Sequence, residues 1–265
     1  MKNSERTEHL QAPDLRDRVA IVGLGVNAVR FDDVIASLDH LRATGGGRIC
    51  FANVHMVMEA HDDPNFAAIV ESADLVVPDG MPLVWMQRLL SRRNSERVRG
   101  YSVMAAVLQR AVELGIKVGF YGGSAEVLEA VTERSEREFP GLSVTYAYSP
   151  PFRALSADED NEIITNIVAA DPDILFVGLG CPKQELWMAE HRERLSCVML
   201  GVGAAFDFYA GTVAQSPEWL SRLGLEWLFR LAKEPRRLWR RYLSTNPRFI
   251  YLAIRQLVQA RVASR

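Results

Sequence analysis

The feature that most constrains the fold of this chain is a regular alternation between short apolar runs and longer amphipathic stretches. The apolar runs have the length of buried strands, and the amphipathic stretches carry their apolar residues at helical spacing. Strands that are apolar along their whole length and alternate with helices are typical of an α/β fold, with a mainly parallel sheet covered by helices on both faces. The predicted strands are residues 19–23, 48–53, 73–78, 117–121, 142–146, 174–178 and 198–202, and the predicted helices are residues 31–42, 81–90, 101–114, 125–139, 161–169 and 183–194.

This alternation stops after Gly211. Residues 220–262 contain no strand-like run and are rich in Arg, Leu and Trp. We expect two or three helices there, broken near Pro235 and Pro247, because proline lacks the backbone donor that a helix interior needs. The chain is therefore predicted to have a flexible N-terminus (residues 1–15), an α/β body (16–217) and a helical appendage (218–265).

Charge is distributed unevenly between the body and the appendage. The formal net charge of the 265 residues is −2, which argues against a protein that coats nucleic acid. Residues 222–265, however, contain 11 basic and 2 acidic residues, so they carry +9 and the rest of the chain carries −11. The basic segment is expected either to meet an anionic partner, such as nucleic acid, lipid headgroups or phosphates, or to form a solvated helix surface.

Several classes of protein are excluded by the composition. The three cysteines have no paired spacing, which argues against a disulfide framework or a zinc site. The charged N-terminal segment lacks the apolar stretch of a signal peptide, and no apolar run approaches the ~20 residues of a membrane span. We therefore expect a cytoplasmic protein that is at most peripheral to a membrane.

Ligands of open parallel sheets bind at the carboxyl ends of the strands, so each motif is judged by its place on its strand. Residues 23–28 fit G-x-G-x-x-A, a weak form of the dinucleotide-binding pattern. The second predicted strand, however, ends at Asn53 and lacks the acidic residue that would hold the adenosine ribose. A tight turn after the first strand is the favoured interpretation.

Two strand ends carry residues with both a functional and a structural interpretation. Asp79 precedes Gly80 at the end of an apolar strand, where its carboxylate can act as a general base or cap the next helix. Gly122 and Gly123 precede Ser124 at the start of a predicted helix. Free backbone N–H groups there can bind an anion, or Ser124 can simply cap the helix.

A third strand end combines glycines with a polar cluster. Residues 178–180 lead into Pro182, and Lys183, Gln184 and Glu185 fill the first helical turn. Three polar side chains clustered at this end of a strand favour a binding site. Pairing of Glu185 with the helix dipole is the structural alternative.

Asp207 lies among glycines and aromatic residues, where it can hold a ribose or base, or form a buried turn. Two D-x-D matches, at residues 171–173 and 158–160, lie before a strand and at the start of a helix, and neither position suits a metal–nucleotide complex. The five histidines lack H-E-x-x-H spacing. We therefore expect no catalytic metal and no cofactor.

These motifs occur together in an order that resembles one family. The ordered set includes G-x-P-K-Q-E at residues 180–185, S-P-x-W at 216–219, L-E-W-L-F-R at 225–230 and E-P-R-R at 234–237. The chain resembles the WecG/TagA/CpsF glycosyltransferases (glycosyltransferase family 26) over roughly residues 15–245.

The resemblance implies a Rossmann-like core with a C-terminal appendage that touches the membrane and helps to close the site. It implies transfer of a sugar from a UDP-sugar to a polyprenyl-diphosphate-linked sugar at the inner face of the cytoplasmic membrane, with inversion and without a metal. The donor sugar would be of the ManNAc, ManNAc-uronate, glucose or glucuronate type, and the product would enter cell-surface polysaccharide. No nucleic-acid partner is implied, and self-association is left open.

The family motifs also imply roles for residues of this chain. Asp79 would be the general base, and Gln184 would hold donor or acceptor near the reacting centre. Arg230, Arg237 and Arg240 would contact the lipid diphosphate from one helical face, if the helix continues through Pro235. The remaining expected substrate-binding residues are Asn53, His55, Gly80, Arg99, Gly122, Gly123, Gly180, Lys183 and Asp207.

Phe51 departs from the family pattern, which often has Thr at this position. Because a phenyl ring cannot donate the hydrogen bond of a threonine, donor choice or acceptor geometry is expected to differ. Asn53 and His55 are candidates for that role. Two alternative functions fit parts of the sequence: an NAD-type oxidoreductase that uses residues 23–28, and a non-catalytic membrane adaptor that uses the basic appendage.

Overall fold

The computed structural model of the protein describes residues 17–91 and 93–263, so the expected flexible N-terminus (1–15) lies outside the described residues. The strands found there are β1 (Arg18–Ile21), β2 (Leu24–Asn27), β3 (Gly47–Ala52), β4 (Leu75–Pro78), β5 (Lys117–Gly122), β6 (Ser143–Tyr148), β7 (Ile174–Gly178) and β8 (Val198–Gly201). The last six pair in parallel in the spatial order β4-β3-β8-β7-β5-β6. The predicted mainly parallel, Rossmann-like α/β sheet is confirmed.

The first predicted strand does not belong to this sheet. β1 and β2 pair antiparallel as a separate hairpin, with Val22 and Gly23 as its two-residue turn. Both turn residues have positive φ, 51° and 97°, as two-residue hairpin turns of the primed type require. The glycine pattern at residues 23–28 therefore forms a hairpin rather than a strand-to-helix turn, so it cannot present a helix N-terminus to a pyrophosphate.

Nine helices of the described body cover the sheet. They are α1 (Phe31–Ala43), α2 (Val54–Asp62), α3 (Pro64–Glu71), α4 (Met81–Ser91), α5 (Gly100–Leu114), α6 (Ala125–Glu138), α7 (Ala157–Ala170), α8 (Lys183–Glu190) and α9 (Ala205–Ala210). All six predicted body helices are present, with shifted ends. The predicted helix at 161–169 begins earlier, because Ser156 and Glu159 form a capping box. The predicted helix at 183–194 ends earlier, at Glu190.

Two hydrophobic cores lie on opposite faces of the sheet. The hairpin, α2, α3, α7 and α8 contribute to one core, and α1, α5, α6 and α9 contribute to the other. Every residue of β3 and β4 is buried, which is the pattern expected for parallel strands that are covered on both sides.

The C-terminal appendage consists of α10 (Glu218–Arg222), α11 (Glu226–Lys233) and α12 (Pro235–Ala263). The predicted break at Pro235 is confirmed, since this proline opens α12. The predicted break at Pro247 is wrong, because α12 continues through it. The proline is exposed, and Thr245 and Phe249 on either side are buried against the body. That packing offsets the single backbone hydrogen bond that proline removes.

Hydrogen bonds connect α12 to the body from the middle of the helix onward. Arg248 makes two hydrogen bonds to the Asp62 carboxylate, at 2.8 and 2.5 Å. Farther along, Gln256 accepts from the backbone N–H of Val22 at 2.9 Å and donates to the carbonyl of Ala20 at 2.7 Å. Among residues 17–91 and 93–263, no helix is both long enough and apolar enough to cross a bilayer.

Candidate active site

A cleft of about 920 Å³ opens at the carboxyl ends of the sheet strands, between the body and the appendage. Residues that directly follow β3, β4, β5, β7 and β8 form one wall, as expected for an open parallel sheet. Side chains of α11 and α12 form the opposite wall. The cleft therefore brings the predicted strand-end motifs together with the basic appendage.

Asp79 lies in the wall of the cleft directly after β4, and its backbone N–H donates to the carbonyl of Ala52 at 2.8 Å. Burial and the negative charge of Glu226 raise the pKa of the Asp79 carboxyl to about 7. The positive charges of Arg97 and Arg99 oppose this shift. Within the described residues, no side chain forms a hydrogen bond or an ion pair with the carboxylate, so it is free to accept a proton near neutral pH.

Arg97 and Arg99 reach the cleft from a segment that runs beside the end of β4. The backbone N–H of Val98 donates to the carbonyl of Pro78 at 3.0 Å, and the Val98 side chain is fully buried. Because side chains alternate along extended backbone, both arginines point to the opposite side, where they line the cleft. The Arg97 guanidinium donates to the Glu226 carboxylate at 3.0 Å, which links the body to α11.

Asn53, Phe51 and His55 line the cleft at the end of β3. The Asn53 side chain accepts from the backbone N–H groups of His55 and Met56, at 3.0 and 3.2 Å, and so caps α2. Burial and the charge of Arg241 lower the pKa of His55 to about 4. The imidazole is therefore neutral at physiological pH, and it reaches the cleft without adding charge.

Gln184 also reaches the cleft, but its side-chain amide forms hydrogen bonds with other groups of the protein. Its side-chain oxygen accepts from the Gly180 N–H at 3.1 Å, and its nitrogen donates to Glu185 at 2.7 Å and to the carbonyl of Gly201 at 2.8 Å. Both amide hydrogens are thus occupied. The side chain ties the end of β7 to the end of β8, which is a positioning role in the described geometry.

Glu185 was expected either to belong to a polar binding cluster or to pair with the helix dipole; it is fully buried and anchors Gln184. Burial raises the pKa of the Glu185 carboxyl to about 7, against the opposing hydrogen bond from Gln184. Lys183 was expected to bind substrate, but it is exposed at the start of α8 and does not line the cleft. The helical turn that carries these residues therefore directs its neutral and acidic side chains inward and its lysine outward.

The glycines of the cleft serve different purposes. Gly122 has a φ of +117°, and an added Cβ would lie 2.6 Å from the carbonyl carbon of Gly178, so this residue permits a close approach of β5 and β7. Gly123 lines the cleft, but its N–H already donates to the Gly178 carbonyl at 3.1 Å. Gly80 and Gly180 line the cleft as predicted, whereas Gly122 lies behind it.

Asp207, on α9, faces two arginines of the appendage across the cleft. Burial raises the pKa of its carboxyl, and the charges of Arg237 and Arg230 oppose that shift. The Arg230 guanidinium lies 5.4 Å from the centre of the Phe208 ring, within the range of a cation–π contact. In the described residues, no group of three His, Cys, Asp or Glu side chains is arranged to hold a metal ion.

The prediction that Arg230, Arg237 and Arg240 share one helical face is wrong, because the helix does not continue through Pro235. Helix α11 ends before Glu234, whose φ and ψ are −129° and 56°, so the helical phase is lost between Arg230 and Arg237. On α12 the cleft is lined by Arg237 and Arg241, which are four residues apart and share a face. Arg240 lies outside the lining, with its guanidinium 5.3 Å from the ring centre of Trp239.

The sequence prediction missed three charged residues of the cleft, and two of them had a recognisable signal. Arg97 lies in an alternating R-V-R string, where the apolar middle residue indicates that both arginines share one side. Glu226 is one of only two acidic residues in the basic segment, residues 222–265. Nothing in the sequence distinguishes Arg241 from the adjacent Arg240, because the residue that faces the cleft depends on the exact start of α12.

An apolar branch of the cleft extends between α4 and α12. Trp85 and Leu89 line one side, and Phe249, Ile254 and Leu257 line the other. The branch is continuous with the part of the cleft that Arg237 and Arg241 line. A ligand with an anionic centre and a long apolar tail would match this arrangement.

Comparison with known proteins shows the family of the chain. The model of the glycosyl transferase WecG/TagA/CpsF family matches residues 19–263. An N-acetylglucosaminyldiphosphoundecaprenol N-acetyl-beta-D-mannosaminyltransferase of Bacillus spizizenii (strain ATCC 23059 / NRRL B-14472 / W23) is 32% identical over 233 residues, which cover 85% of this chain and 88% of the relative. An enzyme of the same name from Bacillus subtilis (strain 168) is 31% identical over 200 residues, which cover 75% of this chain and 76% of the relative. The chain therefore belongs to the WecG/TagA/CpsF family and is a glycosyltransferase.

Proposed function

We propose that this protein transfers an N-acetylmannosamine-type sugar from a UDP-sugar to a sugar carried on a polyprenyl diphosphate, with inversion and without a metal ion. Both relatives are named for transfer of N-acetylmannosamine to an N-acetylglucosaminyl-diphosphoundecaprenol. The observation that carries the proposal is the single cleft that joins Asp79, the appendage arginines and the apolar branch. Each chemical part of such substrates has a matching surface in this cleft.

Asp79 acts as the general base in this proposal. The acceptor hydroxyl oxygen attacks the anomeric carbon of the donor while the bond from that carbon to the diphosphate oxygen breaks. The proton of the hydroxyl passes to the Asp79 carboxylate, and UDP leaves with the electron pair. A single displacement of this kind inverts the anomeric configuration. A carboxyl pKa of about 7 is close to the operating pH, which is where a general base is most effective.

Arg230, Arg237 and Arg241 supply the positive charge that the two diphosphates of such a reaction need. Guanidinium groups bind phosphate oxygens through two parallel hydrogen bonds and keep their charge at any physiological pH. Placed at the cleft, they can hold the lipid diphosphate and stabilise the charge that develops on the departing UDP. This supports catalysis without a metal ion. Asp207, on the opposite wall, is proposed to contact the nucleotide.

The apolar branch is proposed to hold the first isoprene units of the acceptor. The exposed side of α12 continues this surface with Ile250, Ile254, Val258 and Val262, all more than half exposed. An amphipathic helix with apolar and basic residues is suited to lie in a membrane interface. We propose that α12 holds the enzyme peripherally at the inner face of the cytoplasmic membrane.

A transfer assay tests the proposal. UDP-linked ManNAc, ManNAc-uronate, glucose and glucuronate are each offered with a GlcNAc-diphosphate-polyprenyl analogue, with EDTA in a parallel series. We expect UDP-ManNAc to be used best, the new bond to have inverted configuration, and the rate to be unchanged by EDTA. Loss of the rate in EDTA would contradict the metal-independent mechanism, and a retained configuration would contradict the single displacement.

Two further measurements separate this proposal from the alternatives. Asp79→Asn is expected to abolish transfer while UDP binding, measured by calorimetry, persists. Binding of NAD with no binding of UDP would favour an oxidoreductase. Absence of both hydrolysis and transfer of UDP-sugars with every lipid acceptor, combined with membrane binding through the appendage, would favour a non-catalytic adaptor.

A further inference from the structure

Glu226 occupies a place that the proposed chemistry does not explain. It is the first residue of α11, in the appendage, yet its side chain reaches the body at the edge of the catalytic cleft. Its carboxylate accepts from Arg97 at 3.0 Å and from the Ser221 hydroxyl at 3.2 Å. The Ser221 hydroxyl in turn lies 2.6 Å from that of Ser216. The carboxylate is therefore held from both the body and the appendage.

The Arg97–Glu226 ion pair lies in the cleft wall, where both side chains are at least partly buried. The Arg97 side chain is only 10% exposed, and that of Glu226 is 32% exposed, so the pair is largely shielded from solvent. Breaking a pair of this kind would leave the arginine charge without a partner in a cleft wall. Arg97 shares its side of the backbone with Arg99, and both lie where their charge acts on Asp79.

Besides Glu226, Asp79 is the acidic side chain whose charge acts on that guanidinium. Without Glu226, an unpaired Arg97 beside a carboxylate would be drawn toward it, because opposite charges attract strongly in a partly desolvated site. An Asp79–Arg97 ion pair would occupy the carboxylate oxygens that must receive the acceptor proton. In the described structure no such pair forms, and the guanidinium faces Glu226 instead.

We propose that Glu226 is a positioning residue that holds Arg97 away from Asp79, so that docking of α11 on the body makes the carboxylate ready to take a proton. The inference rests on the proposed role of Asp79 as general base. The appendage then does more than contact the acceptor, because the same helix that carries Arg230 also carries the residue that prepares the base. A base prepared only by the docked appendage would limit hydrolysis of the donor when the cleft is open.

The test measures the titration of Asp79 directly, by carbon-13 NMR of protein labelled at the Asp carboxyl carbons, with Asp79→Asn to assign the signal. In the unmodified protein we expect a midpoint near pH 7. In Glu226→Gln the negative charge is lost and Arg97 is released, so the midpoint should fall by about 1 pH unit or more. In Arg97→Gln the positive charge is lost and Glu226 remains, so the midpoint should rise. A purely structural role would not produce opposite shifts from the two partners.

Two variants serve as controls. Glu226→Asp keeps the charge and should keep the midpoint close to that of the unmodified protein. Glu218→Gln removes an exposed carboxylate from neighbouring α10 and should leave the midpoint in place. An unchanged or higher midpoint in Glu226→Gln, or shifts of the same sign in Glu226→Gln and Arg97→Gln, would overturn the inference.

The pH dependence of kcat/KM provides a second readout. The acidic limb should move to lower pH in Glu226→Gln and to higher pH in Arg97→Gln, in parallel with the NMR midpoints. If the unmodified protein transfers no sugar to any acceptor, the proposed function fails. The NMR titration still decides whether Glu226 controls the carboxylate, because it needs no turnover.

Discussion

Asp79→Asn should stabilise the folded protein at alkaline pH, although it removes the proposed base. The carboxyl pKa is about 7 in the folded state, against an ordinary aspartate pKa of 3.8 in the unfolded chain. Because folding raises this pKa, the protonated carboxyl stabilises the fold fully below about pH 4, and this contribution is lost as the pH rises through about 7. Asparagine stays neutral throughout, so it avoids this loss.

The magnitude follows from about 1.4 kcal/mol for each pKa unit. Ionisation of Asp79 should lower the free energy of unfolding by about 2 kcal/mol at pH 5 and by at most about 4 kcal/mol at pH 8. The stability of Asp79→Asn relative to the unmodified protein should therefore increase by roughly 2–3 kcal/mol between these two pH values. Other titrating groups, including Glu185, are present in both proteins and cancel in the difference.

Urea unfolding at pH 5, 6, 7 and 8 measures this difference. Glu136→Gln, an exposed substitution on α6, is the matched control and should change the free energy of unfolding by less than about 0.5 kcal/mol at every pH. Asn also alters local contacts, but such effects do not vary with pH. A difference between Asp79→Asn and the unmodified protein that is equal at pH 5 and pH 8 would refute the reasoning.

Two other predictions address the arginines and the glycine turn. Arg237→Gln combined with Arg241→Gln should raise the KM for the lipid-linked acceptor at least tenfold, because each charge-assisted hydrogen bond to phosphate is worth about 1.5–3 kcal/mol; Arg240→Gln is the control, and an equal loss there would contradict the assignment. Gly122→Ala should destabilise the protein by roughly 2–4 kcal/mol in urea unfolding, because its φ is unsuitable and its Cβ would clash with Gly178. Gly115→Ala has positive φ but open space and should cost about 1 kcal/mol; equal losses at both glycines would show that the contact with Gly178 is unimportant.

The parallel sheet could be predicted from sequence because its strands are buried on both faces. Strands β3, β4, β7 and β8 are apolar along nearly their whole length, and that pattern does not depend on neighbouring elements. The hairpin at the start of the chain has strands of similar composition. The hairpin strands differ from the sheet strands only in the strand with which each one pairs. Strand pairing is a tertiary contact, and the local sequence pattern does not specify it.

Helices α2 and α3 were missed for a different reason. They are short, at 9 and 8 residues, and they follow each other with only Asp63 between them. Asp63 ends one helix and caps the other, and Pro64 opens the second. The cap signals were present in the sequence. A window long enough to show helical periodicity, however, extends over both helices, and because their apolar faces differ, no single periodic pattern appears.

At the candidate site, the sequence could place residues on strand ends but could not show how their polar atoms are used. Gln184 and Gly123 reach the cleft as expected, yet their hydrogen-bonding groups are occupied within the protein. Arg240 and Arg241 are adjacent, and the non-helical backbone at Glu234 decides which of them faces the cleft. Which side chain faces the cleft depends on a rotation of the helix by one residue position, and composition and spacing do not specify that rotation.

The hydrogen bonds between Gln256 and the β1–β2 turn join the β1–β2 hairpin to α12, across more than 200 positions of the sequence. A chain truncated after β8 has every strand of the parallel sheet and Asp79 at its edge, but none of the cleft arginines of α11 and α12. Such a truncated chain is expected to carry the carboxylate without the cationic wall that faces it, and to leave the hairpin turn without its hydrogen bonds to Gln256.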